Sequence, residues 1–401
     1  MPTLLTNIYS PIPYFAIIIF IILFARTPLF SATDTVWHEK NLRTSTIDGL
    51  RGFLAISVFF HHAAITYHYL LTNSWELPPS VFYTQLGQAS VSLFFMITGY
   101  LFWGKAIRAQ GRLPWKNLYI GRLFRIGPLY YLATICMLFI VAADSNFTFH
   151  QPFIKIIKET WDLLLLGFFY PGEINGYQNP GLILAGVTWT LRYEWLFYLF
   201  LLPVAAIFAR LSGRHIWFSI LGYLFCLTIV FLAHATHQSH GSTSLAAMAD
   251  FFAGMATASI QHKYSFNIKR NSYIQSLVVG LLALSLLYFQ TAFAFFPIII
   301  LTLIFFLVSS GCSFFGLLNA RSPRRLGEIS YGIYILQGIA LYLAFNYAPF
   351  RQFALESVLN YWIVTALAGI ALVSMALLAH ITLEMPGIKI GRYFIKLATQ
   401  S

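Results

Sequence analysis

Apolar runs that approach the length of a bilayer crossing recur along this chain, separated by polar breaks whose basic content alternates. A transmembrane helix needs about 20 mainly apolar residues, because each adds about 1.5 Å and the hydrocarbon core is about 30 Å thick. The runs are Leu50–Leu71, Ala89–Trp103, Ile126–Ala142, Trp189–Ala209 and Ile216–Ala233. They continue with Leu245–Ile260, Ile274–Phe289, Ala292–Ser309, Gly327–Phe345 and Leu359–Leu383. Only 9% of the 401 residues are charged, against about a quarter in a soluble domain. The fold class this implies is all-α, a polytopic membrane helix bundle.

The basic residues give the bundle a direction. Lys105, Arg108, Arg112, Lys116, Arg122 and Arg125 fall between the second and third runs, and Arg210 and Arg214 after the fourth. Lys263, Lys269 and Arg270 follow the sixth, Arg321, Arg324 and Arg325 the eighth, and Lys389, Arg392 and Lys396 the tenth. Thr72–Gly87 contains no Lys or Arg. Cytoplasmic loops carry the excess of Lys and Arg, so ten core spans with both ends cytoplasmic fit throughout. The net charge of +12 is spread over these clusters, which speaks for membrane topology and against a nucleic-acid partner. Cys136, Cys226 and Cys312 are scattered in or beside apolar runs, so they predict neither a disulfide framework nor a metal site.

Two further apolar segments stand apart. Pro13–Ala25 lacks the basic start of a signal peptide and reads as one extra N-terminal helix, uncleaved and with its amino end outside. Trp161–Tyr170 is short, and counting it as a crossing would invert every later loop. It reads as interfacial or re-entrant. The longest polar connection, Asp144 to about Val187, then falls on the external side.

Ionisable residues inside such runs are the candidates for chemistry, because each is costly in hydrocarbon. "IDGLRGFLAISVFFHH" places Arg51 near one membrane surface and His62 eleven residues on, about 16 Å along a helix. His62 is either a functional intramembrane group or a histidine bonded to a neighbouring helix; His61 points about 100° away and reads as structural. "YIGRLFRIGPLYYL" puts Arg122 and Arg125 on one helix face at the start of a span, as anchors or as anion ligands. "VTWTLRYEWLFYLF" carries Arg192 and Glu194, two residues apart and facing different ways, with Trp189, Tyr193, Trp195 and Tyr198 around them. "LGEISYGIYILQG" and "HITLEMPG" add Glu328, Tyr331, Tyr334, His380 and Glu384, with the two glutamates suited to pairing with arginine. These residues fit a transporter lumen as well as an enzyme site.

The order of the motifs resembles a known family. From about Ser45 to Tyr393 the chain is similar to the acyltransferase family 3 membrane proteins, which include O-antigen and other surface-glycan O-acetylases. The resemblance rests on the five stretches just quoted together with "VSLFFMITGYLFW". The arginine-to-histidine step of eleven falls on Arg51 and His62, the double arginine on Arg122 and Arg125, and the tryptophan-to-glutamate element on Trp189 and Glu194. Gln337 stands where many members have histidine, and Thr98-Gly99-Tyr100 replaces the usual Ser-Gly-Phe.

The resemblance implies a membrane acyltransferase domain over residues 45–395, an N-terminal extension over residues 1–44, and no C-terminal hydrolase-like domain. It implies an acyl-CoA donor, acetyl-CoA first, and no metal. Arg51, Arg122 and Arg125 would bind the donor phosphates, since the guanidinium fork matches phosphate oxygens. His62 would be the general base and Glu194 would orient it or bind acceptor hydroxyls, with Trp189 and Arg192 as acceptor contacts. The acceptor would be a surface glycan or lipid-linked saccharide outside a bacterial inner membrane. Two alternatives stand beside this: transport, and an acyl relay in which a separate partner completes the transfer.

Overall fold

The computed structural model describes residues 7–39, 42–169, 172–211, 214–236, 242–264, 266, 268 and 271–400; Tyr170, Lys269 and Arg270 lie outside them. Each of the apolar runs named above carries a helix, and among the described residues the only strands form one short hairpin. Among the described residues seven helices are long and apolar enough to cross a membrane, or up to nine if two bent pairs each count as one span. The runs expected at Ile274–Phe289 and Ala292–Ser309 are helices of 17 and 15 residues. At about 1.5 Å per residue these are shorter than a core of about 30 Å and stand as short apolar helices beside the longer ones of an all-α polytopic bundle.

The chain divides into two compact units that interleave in sequence. The larger comprises Tyr14–Leu113 and Leu196–Glu328. It holds α1 (Ile12–Phe24, from Tyr14 on), α2 (Leu42–Thr72) and α3 (Val81–Arg108). Its second segment holds α7 (Leu202–Ala209), α8 (Arg214–Ala235), α9 (Ser242–Lys263), α10 (Ser272–Tyr288), α11 (Phe295–Ser309) and α12 (Arg321–Glu328). Local chemistry sets the helix starts. Ser80 Oγ accepts from Tyr83 N–H before α3, and Asn271 Oδ1 accepts from Tyr273 and Ile274 N–H before α10, as N-caps do. Leu50, Leu93, Met96, Leu301, Phe305 and Val308 meet in one buried apolar cluster. Polar bonds cross the same unit: Trp103 Nε1–H donates to Ser259 Oγ at 2.8 Å, tying α3 to α9. The extra N-terminal helix α1 bends by 77° into a 3₁₀ segment at Pro28–Glu39, and Tyr14 near its start bonds Ser57 of α2.

The smaller unit comprises Met1–Pro13, Pro114–Trp195 and Ile329–Ser401. It is built from α4 (Trp115–Asp144), α5 (Phe153–Leu163), the hairpin β1 (Glu173–Ile174) and β2 (Tyr177–Gln178), and α6 (Trp189–Leu196, up to Trp195). After Ile329 come α13 (Ser330–Asn346), α14 (Ala348–Glu356), α15 (Val358–Ala379) and α16 (Met385–Gln400). Single turns of π-helix sit at Phe197–Leu201 and His380–Glu384, a local widening that is common at functional sites. α5 begins eight residues before the apolar segment expected from Trp161 and carries Ile154, Ile157 and Trp161 exposed.

One boundary differs in a way that matters. α4 starts at Trp115, eleven residues before the apolar run, so Arg122 and Arg125 lie two to three turns inside a helix rather than at its start. Lys and Arg are good helix formers and can run their stems along apolar surface. A charge cluster therefore marks a membrane surface without ending the helix.

Candidate functional site

Arg51 and His62 stand on the unbroken helix α2. Eleven residues make three turns plus about 20°, so both project from nearly the same face, about 16 Å apart along the axis. The adjacent histidines have different surroundings. His61 is buried, and its Nδ1 lies 2.8 Å from the Tyr83 carbonyl of α3. Gly87, one turn further along α3, has no side chain because the His61 ring fills that space. A Cβ there would lie 2.7 Å from His61 Nδ1 and nearer still to ring carbons. His62 is half-buried, with Nδ1 3.1 Å from the Val58 carbonyl of its own helix. A carbonyl only accepts, so each Nδ1 carries the proton and each Nε2 keeps the basic lone pair. The His62 ring lies nearly parallel to Trp75, 6.4 Å between centroids.

Arg51 is held at a close junction of two motifs. Gly49 and Gly52 of α2 pack against Leu318 and Pro323, and Gly327 of α12 packs against Asp48, with backbone touching backbone. A Cβ on Gly52 would lie 2.9 Å from Gly327 N, and one on Gly327 would lie 2.7 Å from the Asp48 carbonyl carbon. Gly52 of "IDGLRG" and Gly327 of "LGEIS" are thus explained by contact between the two motifs, and Gly49 by the backbone of Leu318. Arg51 Nη1 lies 4.0 Å from Asp48 Oδ1, an i, i+3 pair.

In the smaller unit the polar residues converge on Tyr331. Arg125 Nε lies 3.7 Å from Glu384 Oε1, and Glu384 Oε2 lies 2.8 Å from His380 Nδ1, within the π turn. Tyr331 donates to the Ile126 carbonyl at 3.0 Å. Arg125, Glu194 and Glu384 are all within electrostatic range of its hydroxyl. Tyr334, one turn on, donates to the Val187 carbonyl at 3.2 Å and pairs with Thr190 Oγ1 at 3.0 Å, at the start of α6. Arg122 is half-exposed, Arg192 is exposed, and Trp189 packs edge-on against Tyr193 at 5.6 Å. Gln337 is fully buried and donates to the Tyr334 carbonyl at 2.8 Å, a helix-internal bond.

The structure therefore gathers Arg125 and Glu194 around Tyr331 in one unit, and sets Arg51 and His62 along one helix of the other. Sequence reasoning named Tyr331, Glu384 and His380 without a shared role. The signal was present in the tyrosines of "YGIY" at i, i+3, one helix face, and in the His380–Glu384 spacing.

A family model described as "Acyltransferase domain" matches residues 45–380. The chain belongs to acyltransferase family 3. Comparison with curated proteins and with solved structures returned no match. Family membership makes this a membrane acyltransferase, and the matched residues include Arg51, His62, Arg122, Arg125 and Glu194 as well as the junction glycines. The extension that carries α1 precedes them.

Proposed function

We propose that this family 3 acyltransferase moves an acyl group, acetyl first, from cytoplasmic acyl-CoA to a hydroxyl of a surface glycan or lipopolysaccharide, in a bacterial inner membrane. The observation that carries the reading is the bond from His62 Nδ1 to its own helix carbonyl. It directs the basic nitrogen, Nε2, away from the backbone and suits His62 to general-base work. An alcohol is a weak nucleophile at neutral pH. Nε2 takes the acceptor O–H proton while the oxygen bonds the thioester carbon. The C–S bond then breaks, and the leaving thiolate takes the proton from the imidazolium. CoA departs as the free thiol, and the base is neutral again.

Arg51, Arg122 and Arg125 bind the phosphates of the donor in this reading. The tie of Arg125 to Glu384 holds its guanidinium in a fixed direction. Glu194, within electrostatic range of Tyr331, orients the base or binds acceptor hydroxyls, and Trp189 and Arg192 contact the acceptor sugar.

The test uses purified protein in lipid vesicles with acetyl-CoA, measuring thiol release with and without a panel of glycan acceptors. Release that depends on acceptor supports transfer. Release without acceptor points to a relay whose partner completes the step, and uptake of intact substrate without release points to transport. In the transfer case Arg122→Ala and Arg125→Ala raise KM for acetyl-CoA, and Lys at either position rescues only in part, having charge without the fork.

A further inference from the structure

The residues matched by the family begin at 45, yet a buried arginine inside them takes its partners from before that point. Arg325 of α12 is 1% exposed. Its Nε–H donates to Asp34 Oδ1 at 2.9 Å and its Nη2 to Asp34 Oδ2 at 2.8 Å, a bidentate pair. Its Nη1 donates to the carbonyls of Ala25, Arg26 and Thr27 at 2.9, 3.1 and 3.0 Å. Those carbonyls follow the end of α1, where a helix leaves its last acceptors without intrahelical donors. One guanidinium thus caps the extra helix and binds the carboxylate that follows it. Arg321 reaches the same carboxylate at 2.5 Å.

α12 has eight residues, three of them arginines. It lies backbone-to-backbone on α2 at Asp48 and Gly52, the turn that presents Arg51. A cation cluster docked beside a fourth arginine repels it unless a counter-charge is supplied. Removing one partner of a buried ion pair leaves a charge that the site cannot solvate. The relief open to Arg325 is movement of α12 towards water, which withdraws Pro323 and Gly327 from the Arg51 turn.

We infer that the N-terminal extension completes the donor end of the acyltransferase domain, with Asp34 as a positioning residue that acts through Arg325 and α12 on Arg51. The inference rests on the reading of Arg51 as a ligand of the acyl-CoA phosphates. It assigns the extension a part in donor binding, where composition alone shows only one more apolar helix.

The experiment measures the Kd of acetyl-CoA for the full chain in lipid nanodiscs, using only monodisperse folded protein. Asp34→Asn is expected to weaken binding about tenfold, since small misplacements of a positioned group have effects of this order or larger. Asp34→Glu, which keeps the charge, recovers most of the loss. The double variant Asp34→Leu with Arg325→Met removes the pair without stranding a charge, a replacement that buried pairs often tolerate in stability. It is expected to fold and still to bind about tenfold more weakly, because the tie from α12 to the carbonyls after α1 is gone and Arg321 has lost its counter-charge, which separates positioning from folding. Arg51→Ala is the internal reference and is expected to weaken binding at least as much. If Arg51→Ala is weakened while the folded double variant binds as the natural protein does, the inference is overturned and the donor reading survives. If Arg51→Ala itself binds normally, the donor reading fails, and this inference with it.

Discussion

Replacing the two neighbouring histidines one at a time separates a packing role from a chemical one. His61→Ala removes a buried ring wedged between α2 and α3, together with its bond to the Tyr83 carbonyl. A cavity of that size and a lost buried bond cost about 2–4 kcal/mol of stability. Gly87 is the built-in control, because the His61 ring occupies the space a Cβ would take. Gly87→Ala alone forces the ring aside and destabilises by about 1–3 kcal/mol, whereas the double variant loses less than the sum, as coupled neighbours do. His62→Ala behaves in the opposite way. The side chain is half-buried and its Nδ1 bonds a carbonyl of its own helix, so folding is expected to change by about 1 kcal/mol or less. The rate falls by about 10²–10⁴ if Nε2 is the general base, equivalent to about 2.7–5.4 kcal/mol on the barrier. Thermal unfolding in detergent reads the first effect, and acceptor-dependent thiol release per folded molecule reads the second. The reasoning fails if His62→Ala keeps more than a tenth of the rate, or if His61→Ala loses more activity per folded molecule than His62→Ala.

Gly327→Ala should destabilise by about 2–3 kcal/mol, because its Cβ would meet the Asp48 carbonyl and α12 must shift from α2. Gly280→Ala, a helix position with nothing within 4 Å, should be neutral or slightly stabilising, and a similar melting loss in both would refute the junction argument. On the loop between α4 and α6, Glu173 accepts from Gln178 and Lys155, which hold its carboxyl below the ordinary value of 4.5. A depressed folded value means that this support for the hairpin is present above about pH 4.5 and is lost as pH falls through the lower folded value. Protection of the amides of residues 173–178, relative to their intrinsic exchange rates at each pH, should therefore fall on acidification towards pH 3, and Glu173→Gln should flatten that response. A hairpin equally protected at pH 6 and pH 3 in the natural chain would refute it.

Hydropathy and charge order determined the architecture class, because a bilayer accepts apolar helices and sorts basic loops without reference to tertiary detail. The motif order determined the family for a related reason, since IDGLRG and LGEIS carry glycines whose need is visible as a pattern in one dimension. Their cause is not visible there. Only the packed structure shows that Gly49 is required by the backbone of Leu318, Gly52 by those of Pro323 and Gly327, and Gly327 by that of Asp48. The α4 boundary is not legible in the sequence because charge marks a membrane surface and not a helix end, so the helix that carries Arg125 begins eleven residues before its apolar run. The two histidines are chemically identical and adjacent, and the tertiary environment alone makes one a wedge and leaves the other half-exposed. The last case is the most distant in sequence. Asp34 and Arg325 are separated by 291 positions, and no local pattern in either stretch announces the other. Long-range ion pairs are chosen by which surfaces the fold buries together, and that choice is made only when the chain is packed.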